Sequence, residues 1–166
     1  LNAVYIGGGT PTTLKPSQLE RLISFVKRRF DLSHCLEFTV EAGRPDSITE
    51  EKLAVLREQG VTRISINPQT MNQKTLDLIG RRHTVEQTTE SFWLAREMGF
   101  DNINMDLIMG LPGETLDDVR NTLSRIRELK PDNLTVHSLA LKRAARLNLE
   151  REAYREFQMV NTQEHM

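Results

Sequence analysis

Three adjacent glycines and a Thr-Pro close the first apolar run of the sequence, Val4-Tyr5-Ile6-Gly7-Gly8-Gly9-Thr10-Pro11. Such glycines cost backbone entropy and offer no packing surface, so what they supply is bare main chain that a ligand's ammonium or carboxylate can reach. The run lacks the later Gly-Lys-Ser/Thr of a phosphate loop and the third glycine of a dinucleotide fingerprint. Polar groups also stand at the ends of later apolar runs: Glu41, Gln69, Asp106 followed by Gly110, and His137. An inward carboxylate at Asp106 calls for donors such as ribose hydroxyls, an ammonium or an arginine. Arg81, just before a helix start at Thr84, could meet that carboxylate or a ligand's. The bland alternatives are a ligand-free tight loop at the glycines, a left-handed turn after Asp106 and a solvated Arg81.

The elements that must position these residues alternate. Ser17 to Glu20 and Thr84 to Gln87 read as capping boxes, and Thr49 and Thr115 precede acidic first turns. Apolar stripes follow (Leu19, Leu22, Ile23, Val26; Leu53, Leu56; Leu94, Ala95, Met98; Val119, Leu123, Ile126), ended by Gly60, Gly99 and Pro131. Between them, 4–6, 37–41, 63–67, 102–108 and 133–138 have β character. The helix-to-strand junctions at 56–66, 95–105 and 126–136 resemble one another. Repeated helix-turn-strand units imply parallel strands joined by right-handed crossovers, as in a (β/α) barrel or a doubly wound sheet.

Alternation within the strands separates these two. Strands covered by helices on both faces are apolar throughout. Here Val4, Ile6, Phe38, Val40, Ile64, Ile66, Ile103, Met105, Leu107, Leu134 and Val136 share one face. Tyr5, Thr39, Glu41, Ser65, Asn67, Asn104, Asp106, Thr135 and His137 share the other. One helix-covered face and one polar face predict an α/β chain forming a partial parallel (β/α) barrel of about five βα units. Its polar interior is expected to be a wet cavity filled by a polar ligand, because unpartnered buried carboxylates and amides cost about several kcal/mol each. An open sheet with those residues facing solvent is the alternative. Parallel α/β proteins gather their ligands at the C-terminal strand ends, where all the polar groups above fall.

The charge balance, 22 Lys and Arg against 23 Asp and Glu, provides no basic footprint for nucleic acid. No window is long and apolar enough for a membrane span and no secretion signal is visible, so the expectation is a cytoplasmic protein. Cys35, the single cysteine, cannot alone hold zinc or an iron–sulfur cluster. Of the four histidines, His83 and His165 are expected at the surface and His137 inward.

"YIGGGTPT" (5–12), "RISINPQT" (63–70) with "IGRRHT" (79–84), and "MDLIMGLPGET" (105–115), in this order, resemble the radical S-adenosylmethionine enzymes of the oxygen-independent coproporphyrinogen III oxidase group. Within that group the commoner third-strand pattern is Ser-Ile-Gly-Val-Gln. The Asn67-Pro68 variant resembles its coproporphyrinogen dehydrogenase branch. The resemblance implies S-adenosylmethionine and a [4Fe-4S] cluster as cofactors. It implies backbone contacts from Gly7, Gly8, Gly9 and Thr10 to the methionine moiety, with Glu41 meeting the same cofactor. Gln69, Arg81 and Asp106 would bind cofactor or ribose, and Ile108 with Gly110 would line the adenine. The implied reaction removes hydrogen from substrate propionates through a 5'-deoxyadenosyl radical, and decarboxylation leaves vinyl groups. The partners implied are a small porphyrinogen substrate and an unassigned electron donor. Arg44, Arg63 and Arg82 are unranked candidates for the substrate's carboxylates.

The family's Cys-x3-Cys-x2-Cys loop is not in this sequence. The expectation is therefore a core fragment, inactive by itself, with 1–141 as barrel core and 142–166 as a charged helical extension toward a further region. Two other readings are carried: a haem-carrying relative on the same barrel, and a phosphate-binding (β/α) enzyme using Asp106 and Glu41 as acid and base.

Overall fold

The computed structural model describes residues 1–139. Five strands, β1 (Ala3–Ile6), β2 (Glu37–Ala42), β3 (Arg63–Gln69), β4 (Ile103–Met109) and β5 (Asn133–Ser138), form one parallel sheet in the order β1-β2-β3-β4-β5. Helices α1 (Pro16–Arg29), α2 (Glu50–Glu58), α3 (Gln73–Leu78), α4 (Val85–Glu97) and α5 (Leu116–Leu129) lie in the connections. Sequential order with one-handed crossovers puts every helix on the same side. This is a half-barrel, and the doubly wound alternative is excluded.

One core joins helices to sheet: Leu19 and Ile23 of α1, Leu53 of α2 and Phe92 of α4 pack with Ile64 and Met105 of the central strands. Ile64, Ile66, Ile103, Met105 and Leu107 are fully enclosed, each burial worth about 1.5–3 kcal/mol. The predicted apolar face is thus the helix-covered one for β2, β3 and β4. At the edge it differs: Leu134 and Val136 of β5 stay 44% and 50% exposed. Among the described residues α5 adds Ile126 and Leu129 to the core and no helix follows β5.

Thr49, Thr84 and Thr115 cap α2, α4 and α5 as expected, each accepting a backbone N–H from three residues on. The capping box at Ser17 is corrected. α1 starts at Pro16, whose missing N–H suits the first turn. The Gln18 side chain accepts the Lys15 N–H at 2.9 Å, which leaves Ser17 inside the helix. The six-residue α3 has no apolar stripe to announce it; it rests on the Asn72 cap, which accepts the Lys74 N–H at 3.1 Å. The extension at 142–166 lies outside the described residues.

Candidate functional site

The inner face of the sheet carries one residue set from each strand, and its members bond to one another. Glu41 Oε2 accepts the Gly8 N–H at 3.1 Å and Oε1 accepts Asn67 Nδ2 at 2.7 Å. Ser65 Oγ donates to Asn67 Oδ1 at 3.1 Å, and Asn104 Nδ2 donates to Ser65 Oγ at 2.8 Å and also to Asp106 Oδ1. Thr135 Oγ1 donates to Asn104 Oδ1 at 3.1 Å. Ser65, Asn67 and Asn104 are buried, while Glu41 and Asp106 keep part of their surface open. The expected wet cavity is therefore half right. The floor is dry and its amides satisfy each other, so burial costs little, while the two carboxylates face the opening.

The glycine run divides into two kinds of position. A β-carbon on Gly7 would stand 2.8 Å from Glu41 Oε2 and closer still to the Tyr5 ring, so any side chain there must displace one or both of them. At Gly8 and Gly9 a β-carbon would meet nothing within 4 Å. Space is therefore open around both, but the Gly8 N–H and carbonyl are taken by Glu41 and Thr10, so among the described residues the open main chain that the sequence suggested is that of Gly9. Gly8 and Thr10 both take left-handed backbone, φ 85° and 73°, and the Thr10 N–H bonds back to the Gly8 carbonyl. The loop is fastened from outside: Lys52 Nζ donates to the Thr12 and Ser47 carbonyls at 2.6 and 2.9 Å, and the Thr12 and Ser47 hydroxyls meet at 2.6 Å.

Tyr5, on the same inner face, is 58% exposed. Burial first, then the Glu41 and Asp106 charges, hold its phenol above the ordinary value of 10.0. Tyr5 thus lies within the field of both carboxylates on the inner face.

Gln69 lies at a bulge in β3, where the register with β4 slips between Ile66 and Gln69; it is buried with φ 70°. Pro68 has no N–H to give a central strand, and the bulge removes that demand. The freed Pro68 carbonyl accepts His83 Nε2 at 3.2 Å. The surface expectation for His83 is thereby corrected: the ring is 1% exposed, and burial above all holds it below its usual 6.5, hence neutral. His137 is corrected in the other sense: it pairs with Ile108 in the sheet register but is exposed at the open edge. Ile108 is half-buried two residues beyond Asp106, and Gly110 turns the chain away with φ 81°.

Arg81 is not brought to Asp106; no hydrogen bond joins them among the described residues. It is half-buried near Arg44 and Asp46, and burial followed by the Arg44 charge lowers its guanidinium's pKa. Arg44 itself grips Asp46 with two bonds, 2.7 and 3.2 Å. Arg63 begins β3, at the end of the sheet opposite the glycine loop, and pairs with Glu37 at 3.5 Å.

The "Radical SAM superfamily" pattern matches residues 1–126 of the chain. The chain belongs to the radical SAM superfamily. This radical SAM chain is 49% identical over 156 residues to the oxygen-independent coproporphyrinogen-III oxidase-like protein HemZ of Bacillus subtilis, covering 93% of this chain and 31% of that protein. It is 42% identical over 142 residues to the heme chaperone HemW of Lactococcus lactis, covering 86% and 37%. Among solved structures it resembles coproporphyrinogen III oxidase (HemN) from Escherichia coli, a radical SAM enzyme, with TM-score 0.79 and 34% identity, covering 86% of this chain and 33% of that one. The chain thus spans about a third of the length of the relatives it matches. The family and half-barrel read from the sequence motifs both stand.

Radical SAM proteins in general use S-adenosylmethionine and a [4Fe-4S] cluster. The inner face suits the first: open space at Gly9 near the Glu41 carboxylate, with a second partly exposed carboxylate at Asp106 on the same face, matches an amino acid joined to a ribose. The residues of this chain do not suit the second. Cys35 is half-buried at the opposite end of β2, with Sγ donating to the Glu37 carbonyl at 3.3 Å. Among the described residues no three His, Cys, Asp or Glu side chains gather as metal ligands.

Sequence reasoning missed Tyr5, Asn104, Ser65 and Lys52 as parts of the site. The strand alternation had placed the first three on the correct face and was the one signal available. Nothing in the sequence marked Lys52. Among the described residues, no helix is long and apolar enough to cross a membrane.

Proposed function

We propose that this chain is the S-adenosylmethionine-binding part of an oxidoreductase that converts coproporphyrinogen III propionates to vinyl groups. The observation that carries the reading is the shared inner face: Glu41 of β2, bonded to the glycine loop after β1, and Asp106 of β4 are joined by one hydrogen-bonded chain across the parallel sheet. In this reading the Gly8, Gly9 and Thr10 backbone, with Gly7 behind it, receives the amino-acid end of the cofactor, with Glu41 beside it. Asp106 accepts from the ribose hydroxyls, Ile108 and Gly110 flank the base, and Gln69 and Arg81 stand at the mouth. The glycine loop, Glu41 and Asp106 would hold S-adenosylmethionine, which together with a cluster held by other residues would supply the radical chemistry. The residues here orient the ribose and exclude water. A cytoplasmic site of action accords with it.

The likeness to a heme chaperone favours a second reading, in which the same barrel carries haem without turnover. One experiment separates them. The full-length protein, with its cluster reconstituted anaerobically, is given coproporphyrinogen III, S-adenosylmethionine, a one-electron reductant and an electron acceptor, and vinyl product is followed by chromatography, while a parallel sample is given haem and passed through a desalting column. Product formation that Asp106→Asn abolishes supports the first reading. Stoichiometric haem retention with no vinyl product overturns it in favour of the second.

A further inference from the structure

The two carboxylates of the inner face are the ends of one hydrogen-bonded rail. Its order is Gly8 N–H, Glu41, Asn67, Ser65, Asn104, Asp106. Every link is directional. Each asparagine gives an amide proton to a carboxylate, Asn67 to Glu41 and Asn104 to Asp106. The Ser65 hydroxyl receives from Asn104 and donates to Asn67, so it is the single joint between the halves. Thr135 fixes the remaining Asn104 oxygen. The side chains between the carboxylates are no more than 7% exposed, which excludes water as a competing partner. The fit around Asn67 is tight: a β-carbon on Gly43 would lie 3.3 Å from its Nδ2 and 3.2 Å from Glu41 Oε1. Turning the Asn67 amide breaks two bonds and turning the Asn104 amide three, and Glu41 cannot leave its rotamer without releasing the glycine loop at Gly8.

We propose that Ser65, Asn67 and Asn104 are positioning residues that lock Glu41 and Asp106 into one unit, so that the two ends of a nucleoside-bearing amino acid are recognised together. The proposal rests on the S-adenosylmethionine reading above. It goes beyond that reading in assigning function to three buried residues that touch no ligand, and in making Ser65 the joint. It also gives Asn67 a reason: where the related pattern has glycine, this chain has an amide that holds Glu41 against Gly8.

The test has two arms on the purified chain. In the first, S-adenosylhomocysteine is titrated calorimetrically into the wild type, Glu41→Gln, Asp106→Asn and the double variant, each with Ser65 and with Ser65→Ala. With Ser65 present the double variant should lose less affinity than the product of the single losses. With Ser65→Ala the losses should multiply, and that substitution alone should weaken binding about fivefold to tenfold. Multiplying losses in both backgrounds, or unchanged affinity in Ser65→Ala, overturn the proposal. In the second arm no ligand is needed. Proton exchange of the Asn67 and Asn104 side-chain amides is followed by NMR, with Asn67→Gly and Ser65→Cys as variants that keep the strand. Slow exchange at both amides, quickened at Asn104 when Asn67 is removed, supports the rail; fast exchange in the wild type overturns it. If the wild-type chain binds nothing, the titration is repeated on the full-length protein with its cluster reconstituted; absence of binding there overturns the cofactor reading, and the amide exchange still decides the rail.

Discussion

The Tyr5 ring occupies the space that a β-carbon on Gly7 would need, and the Glu41 carboxylate closes the other side at 2.8 Å from that point. Gly7→Ala should therefore destabilise the fold by about 1–3 kcal/mol through overpacking, read as a lowered urea midpoint. Adding Tyr5→Ala should recover part of that loss. Gly9→Ala has open space around it, so its midpoint should stay close to wild type while S-adenosylhomocysteine affinity falls. Equal destabilisation by both alanines would refute the division of the glycine run.

Lys52 clamps the loops after β1 and β2 through the Thr12 and Ser47 carbonyls. Replacing it by methionine keeps the aliphatic stem and deletes both charge-assisted bonds. The expected cost is about 1–3 kcal/mol, with faster amide exchange confined to residues 8–14 and 44–48. Unaltered exchange there would show that the loops hold without it.

Asp106 is the carboxylate assigned to the ribose. Asp106→Asn should weaken S-adenosylhomocysteine binding about tenfold to hundredfold, the worth of hydrogen bonds to a charged acceptor, and leave the melting temperature nearly unchanged because the amide still accepts from Asn104. Arg120→Ala serves as the contrast: its ion pair with Asp117 is largely exposed, so neither quantity should move measurably. A fall in melting temperature as large as that of Gly7→Ala would make Asp106 structural.

Two buried titratable groups give the stability opposite pH slopes. Burial raises the Glu114 carboxyl above its ordinary 4.5, while Thr70 donates to it. Its contribution is full below 4.5 and is lost as pH climbs through the raised value. Burial lowers His83 below 6.5, so its contribution is full above 6.5 and is lost as pH falls toward the depressed value. Thermal melts should thus show Glu114→Gln more stable than wild type near neutrality, with the gap closing on acidification. His83→Gln should flatten the loss that wild type shows below 6.5. A Glu114→Gln melting curve parallel to wild type at every pH would contradict the assignment.

Much of the architecture was legible because local signals and global fold agree. The threonine caps, the glycine stops and the two-residue alternation each follow from backbone geometry within a few residues. Where signals were absent, reading failed. α3 is too short for a stripe, and Pro16 outweighed Ser17 as the start of α1. His83 looked like a surface residue because nothing near it in sequence reveals that a bulge fifteen residues earlier frees the Pro68 carbonyl to receive it.

The sequence by itself determined the alternating strands and helices, the polar side of each strand, and the family that the three motifs carry, since all of these are encoded in spacing along the chain. Only the tertiary structure decided which polar residues meet. Glu41 reaches Gly8 and Asn67, Arg81 is half-buried without a bond to Asp106 among the described residues, and Gly7 answers to Tyr5. The physical reason is that partners of a buried hydrogen bond are chosen by strand register and rotamer, to the ångström, between segments some 26 to 39 residues apart. Spacing along a chain carries no record of such distances.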